Sequence, residues 1–207
     1  MIIIGLTGSI GMGKTETAKI FSNLGIPVYD ADASVHKIYQ SGQIGALAIK
    51  KLFPEAIAVD GSVDREILGS IVVGNKTNIK KLEKIIHPLL KEDRSAFFEK
   101  NKNKKTVVLD IPLLLETKGE SQVDYVVVVS TSKNIQKKRV LERPNMTEDK
   151  FKKILLSQMP NEIKCKKADF VIDTSISIDD AKKQVLNILK EIESEWEKLY
   201  LIQKQQD

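Results

Sequence analysis

Cysteine is almost absent from this chain. Cys165 is the only one, so no internal disulfide can form and nothing indicates an oxidising compartment. Histidine is nearly as scarce: His36 and His87 lack Cys or His partners at metal-site spacing, which argues against a structural zinc centre. Aromatic residues make up 5% of the chain, with a single tryptophan. The net charge of +5, from 33 basic and 28 acidic residues, is therefore not organised as an aromatic-laced basic stripe. A nucleic-acid-binding role is not expected. No stretch approaches about 18 uninterrupted apolar residues, and a strand consumes the apolar N-terminus, so neither a membrane helix nor a signal peptide is expected. The expectation is a cytoplasmic protein with no membrane partner, a monomer or a weak homo-oligomer. Low-complexity linkers and internal repeats are also missing. With 42% apolar and 29% charged residues over 207 positions, the chain reads as one domain with insertions.

What is present is a phosphate-binding motif. Gly8-Ser9-Ile10-Gly11-Met12-Gly13-Lys14-Thr15 fits G-x-x-x-x-G-K-[ST] and directly follows the apolar run Ile2-Ile3-Ile4-Gly5-Leu6. A helix is expected from Thr15 through Glu16, Thr17, Ala18, Lys19, Ile20 and Phe21. Glycines let the backbone curl so that successive N–H groups line one concavity, and the helix dipole adds its positive end there. Lys14 is expected to bridge the β- and γ-phosphates, and the Thr15 hydroxyl to ligate Mg²⁺. The motif and its flanks imply a protein that binds a nucleoside triphosphate.

Short apolar runs alternate with helical stretches, the pattern of a parallel sheet covered by helices. Strands are expected at 2–6, 27–29, 106–110, 125–130 and 170–172. A long helical stretch without a convincing strand, 33–101, reads as an inserted acceptor-binding subdomain, with helices over 34–39, 44–52, 65–72 and 78–100. A second insertion at 132–161, broken at Pro144-Asn145, reads as a lid. The core is then 1–32, 102–131 and 162–207. A final amphipathic helix over 178–201, capped by Ser177, presents Ala181, Val185, Leu189, Ile192, Trp196 and Leu199 at helical spacing. A frayed tail from Gln203 to Asp207 is expected after it.

Several charged residues can carry chemistry. Asp30 and Asp32 follow the second strand, at the edge where open α/β sheets bind ligands. One is expected to cap the next helix, and the other to orient an attacking hydroxyl. Asp110 closes an apolar strand and would hold Mg²⁺ through water, opposite Thr15. Glu116 reads as a helix-surface carboxylate. Arg139 and Arg143 share a helix face, and from spacing alone a lid pair and an ordinary exposed surface fit equally. A GTPase would need glycine after Asp110, where Ile111-Pro112-Leu113 stands, and Asn75-Lys76-Thr77 is followed by Asn78 rather than Asp. No transporter-type Ser-Gly-Gly-Gln signature is present. A small-molecule kinase fits best.

Taken together, these segments resemble the dephospho-CoA kinase family from Ile3 to about Val185. The resemblance rests on the phosphate loop and on Val28-Tyr29-Asp30-Ala31-Asp32. Arg65-Glu66-Ile67-Leu68, Leu82-Glu83-Lys84-Ile85-Ile86-His87-Pro88 and Leu109-Asp110-Ile111-Pro112-Leu113-Leu114-Leu115-Glu116 extend it. Gln136-Lys137-Lys138-Arg139-Val140-Leu141-Glu142-Arg143, Gln158-Met159-Pro160 and Ala168-Asp169-Phe170-Val171-Ile172-Asp173 complete it. It implies an α/β fold of the P-loop nucleoside-monophosphate-kinase-like class, a parallel five-stranded sheet flanked by helices. It also implies Mg·ATP-dependent phosphorylation of the ribose 3′-hydroxyl of dephospho-CoA; a nucleoside monophosphate kinase or a non-catalytic ATP-binding module are the alternatives. By the same resemblance, Asp32 orients or deprotonates the hydroxyl, Lys14 steadies the transferring phosphate and Arg139 reaches in from the lid. Gly8, Gly11, Met12, Gly13, Lys14, Thr15, Glu16 and Arg143 would contact ATP. Thr7, Asp32, Arg65, His87 and the Ile111-Pro112-Leu113 turn would line the acceptor side. The chain departs from the family pattern at Glu16, Val73, Ile154 and Thr174.

Overall fold

A computed structural model describes residues 1–204, with side chains through residue 198. The chain folds as two compact units, one formed by 1–28 and 104–207, the other by 29–103. The first strand, β1 (Ile2–Thr7), follows from its β-branched run, which suits a strand covered on both faces. It runs into the phosphate loop and then α1 (Lys14–Asn23), followed by β2 (Val28–Asp30).

The second unit holds α2 (Ala31–Ile38), α3 (Ile44–Leu52), α4 (Arg65–Val72) and α5 (Lys76–Lys100). Ile38, Tyr39, Ala46, Ile49, Phe53, Ala56, Val63, Leu68 and Ile86 form its core. Asp93 of α5 ties down α2, accepting from Ser34 Oγ at 2.8 Å and Lys37 Nζ at 3.0 Å. Helix α2 starts three residues earlier than the spacing predicts, because Asp30 already caps it by accepting from Ala33 N.

The first unit continues with β3 (Thr106–Asp110), β4 (Tyr125–Ser130), α6 (Lys133–Leu141), α7 (Glu148–Ser157), α8 (Asn161–Lys167), β5 (Phe170–Asp173) and α9 (Ile178–Lys204). The five strands form one sheet in the order β2-β3-β1-β4-β5, and the β1–β3, β1–β4 and β4–β5 pairs are all parallel. The chain leaves β1 in one direction for β2 and β3 and returns on the other side for β4 and β5. That reversal puts the topological switch point at the carboxyl end of β1, where ligands bind in such sheets.

Helix α9 covers the sheet with Ala181, Val185, Ile188 and Ile192 buried, and Leu189 and half-buried Trp196 packed against them. Ser177 caps it, accepting from Asp180 N at 3.0 Å. The helix runs on to Lys204; Leu199 falls outside the described side chains, and 205–207 outside the described residues. Helix α8 was not foreseen in the sequence. Its one fully buried side chain is Lys164, so no apolar periodicity announces it.

Candidate active site

The phosphate loop is shaped by two glycines with positive φ, Gly11 at 77° and Gly13 at 95°. Side chains are excluded there by space as well as by backbone strain. A Cβ on Gly11 would meet Val140 Cγ2 of α6 at 2.5 Å, and one on Gly13 would meet Thr174 Oγ1 at 2.9 Å. Gly13 is also the N-cap of α1 and offers no side-chain oxygen, so the first-turn N–H groups keep their capacity for an anion.

Lys14 and Asp110 meet beneath this loop, with Nζ and Oδ1 2.5 Å apart and side chains 17% and 6% exposed. The sheet register makes the meeting possible. Asp110 pairs with Leu6, one residue before β1 ends, so its carboxylate lies beside the strand from which the loop departs. Charges this far from water require such a partner.

Thr7 is fully buried, and its hydroxyl donates to Pro112 O at 2.9 Å. Its side chain therefore fixes the Ile111-Pro112-Leu113 turn, where Leu113 is exposed. Met12 is 2% exposed; its Sδ accepts from Thr131 N, and its side chain belongs to the core. Only its backbone can serve a nucleotide. Thr15 is exposed. Glu16 points outward along α1 and pairs with Lys19 at 2.7 Å, which keeps its charge out of the loop.

Arg139 is held in place. It donates from both terminal guanidinium nitrogens to Thr174, at 3.0 Å to Oγ1 and 2.7 Å to O, while Thr174 Oγ1 donates to Met12 O at 2.8 Å. Thr174, one of the departures from the family pattern, thus links Arg139 to the phosphate loop. Arg143 is exposed, four residues further along.

Asp32, Arg65 and His87 belong to the other unit. Asp32 lies in the first turn of α2 and is exposed; because Asp30 takes the cap, the Asp32 carboxylate is not spent on one. Arg65 opens α4, exposed, with its charge acting on Tyr39. His87 is exposed on α5, which continues through Pro88. Among the described residues no cluster of three or more His, Cys, Asp or Glu side chains could hold a metal ion. The oxygen donors Thr15 and Asp110 still suit Mg²⁺, which takes few protein ligands and keeps its remaining positions for water and phosphate.

The reading of Glu116 as a surface carboxylate is corrected here. Its Oε1 pairs at 2.8 Å with Lys164 Nζ, which is fully buried, and accepts from Met159 N at 2.9 Å. Lys164 also reaches Pro112 O at 3.4 Å, the same carbonyl that Thr7 holds, so the pair helps to brace that turn. No sequence signal marks Lys164, since lysine is ordinarily exposed.

The switch-point loop, its lysine and the acid ending β3 define a P-loop α/β phosphotransferase of the small-molecule kinase type. The family model for dephospho-CoA kinases matches residues 2–180, and the chain belongs to that family. A dephospho-CoA kinase of Bradyrhizobium diazoefficiens is 50% identical over 194 residues, covering 93% of this chain and 96% of that protein. The crystal structure of TT1252 from Thermus thermophilus matches with a TM-score of 0.75 at 31% identity, covering 92% of this chain and 97% of that one. The dephospho-CoA kinase from Campylobacter jejuni matches with a TM-score of 0.61 at 30% identity, covering 92% and 96%.

The buried pair gives a pH test. Burial pushes the Glu116 carboxyl up, but Lys164 and the Met159 N–H outweigh it and hold the carboxyl below its ordinary value. A depressed folded-state value stabilises above the unfolded value, and the contribution is lost as pH falls through the folded one. In Lys164→Met the main downward pull is gone while burial remains, and Glu116 Oε2 has no hydrogen-bond partner. Urea unfolding at pH 7 should show Lys164→Met destabilised by about 3–5 kcal/mol. The gap to the unmodified protein should narrow as pH falls, first as Glu116 protonates in the variant and, at lower pH, in the unmodified protein. A gap independent of pH would mean that lost packing, not the charge, sets the cost.

Proposed function

We infer that this protein transfers the γ-phosphate of ATP to the ribose 3′-hydroxyl of dephospho-CoA, giving coenzyme A and ADP. The supporting observation is the Lys14–Asp110 pair under a glycine-shaped loop, in a chain of the dephospho-CoA kinase family. A cytoplasmic setting goes with this reading.

In the proposed reaction the loop N–H groups and Lys14 hold the polyphosphate, with Lys14 exchanging Asp110 for phosphate oxygens. Thr15 and Asp110 would hold the Mg²⁺ that arrives with ATP, which supplies charge neutralisation at the phosphates. The acceptor oxygen forms its bond to the γ-phosphorus as the bond to the β-phosphate oxygen breaks. The hydroxyl proton passes to Asp32, which is exposed and not engaged as a cap. Arg65, His87 and the Ile111-Pro112-Leu113 turn are proposed to bind the acceptor.

The family resemblance implies that Arg139 reaches in from the lid and that Arg143 lies near the nucleotide. The tether of Arg139 to Thr174, one bond from Met12 O, favours exchanging these parts. On that reading Arg139 stays beside the loop, and exposed Arg143 swings with the lid toward the developing charge.

Three measurements follow. ADP release coupled to acceptor should appear with dephospho-CoA and not with AMP, CMP or dTMP. Turnover confined to a nucleoside monophosphate would make the protein a nucleotide kinase, and ATP binding without acceptor-dependent release would make it a binding module. Asp32→Asn should retain ATP affinity while kcat falls about 10²-fold or more; unchanged turnover would move the base elsewhere. Arg143→Ala should lower kcat with KM for ATP little changed, and Arg139→Ala should raise KM for ATP. The opposite split would restore the assignment made from sequence.

A further inference from the structure

Ile10, in the middle of the phosphate loop, is gripped from both ends of the lid segment. Its N–H donates to Gln158 Oε1 at 3.0 Å, and its carbonyl accepts from Gln136 Nε2 at 2.7 Å. Gln136 lies on α6, where the segment enters, and is 5% exposed; Gln158 lies just after α7, where it leaves. The direction of each bond is fixed by chemistry, because a backbone N–H only donates and a carbonyl only accepts.

These two bonds orient two successive peptide planes. In a trans peptide the carbonyl of one residue and the N–H of the next point to opposite sides. Drawing the Ile10 carbonyl onto Gln136 therefore turns the Gly11 N–H away from Gln136, toward the loop's concavity. Drawing the Ile10 N–H onto Gln158 turns the Ser9 carbonyl the other way, where it accepts from Met12 N at 3.2 Å and closes the turn inside the loop. A Cβ on Gly11 would lie 3.0 Å from Gln136 O, so α6 backs directly onto this peptide.

We propose that Gln136 and Gln158 are positioning residues that aim the amides of the phosphate loop at ATP, with Ile10 as the shared anchor. The loop and the two ends of the lid segment then cannot rearrange independently. Gln136 is required as a donor and Gln158 as an acceptor. The proposal rests on the kinase reading for its ligand, but its test needs only ATP binding, so failure of the acceptor assignment would leave it standing.

The test uses two isosteric variants of the full chain. Gln136→Glu and Gln158→Glu each add one negative charge beside the same residue, yet only the first removes the required hydrogen-bonding atom. Titration with a non-hydrolysable ATP analogue should show Gln136→Glu weakened about 10-fold or more relative to Gln158→Glu, the scale of one lost buried hydrogen bond. Equal losses in the two variants would overturn the proposal, since charge or packing would then explain both. Amide exchange in the unmodified protein gives a second readout that no folding defect can obscure. Without nucleotide the Ile10 N–H should be protected and the Gly11 N–H not, and the analogue should slow exchange at Gly11. An unprotected Ile10, or a Gly11 indifferent to the analogue, would equally overturn it.

Discussion

A lysine ammonium and an aspartate carboxylate held 2.5 Å apart, both largely withdrawn from water, set the terms for everything around them. Neither could be left there alone, because an isolated buried charge costs far more than a single fold contact returns. The pair forms because two parallel strands end side by side, one continuing into a glycine-shaped turn and the other ending on an acid. In the proposed reaction polyphosphate would take over the lysine and the cation the aspartate, so that neither charge is stranded.

The surroundings hold that loop largely through its backbone. Thr174 Oγ1 donates to Met12 O, and Gln136 and Gln158 take the two sides of Ile10. Amide groups can bind phosphate only if they point the right way without reorganising, which is where such preorganised sites gain most of their strength. A second buried ion pair, Lys164 with Glu116, does similar work for the Ile111-Pro112-Leu113 turn. Both pairs join elements of the same unit that are far apart in sequence, so each also fixes how helices and loops are laid against the sheet.

Much of this was legible in the residues. The strands β3 and β4 and the helices α3 and α4 have the bounds that the apolar runs and caps indicate. The phosphate loop was legible for a different reason: its chemistry needs glycine, lysine and threonine at fixed spacing. Other features are hidden from the residues for one shared reason. Met12 and Thr7 stand in or beside the loop, yet the side chain of the first fills the core and that of the second is fully buried against a carbonyl. Glu116 looks solvated, and α8 shows no apolar stripe, because both depend on a lysine hidden at a position where an aliphatic residue would have given a signal.

By itself the sequence determined which atoms are available and how local segments curl, since dihedral preferences, periodicity and motif spacing act over a few residues. Tertiary structure alone decided which charge meets which. Lys14 finds Asp110 across 96 residues and Ile10 finds Gln158 across 148, and such pairings follow from sheet order and helix placement rather than from any neighbouring residue. Low-dielectric burial then magnifies the consequence of each meeting, because a charge or amide removed from water must take its partner from whatever the fold brings within reach.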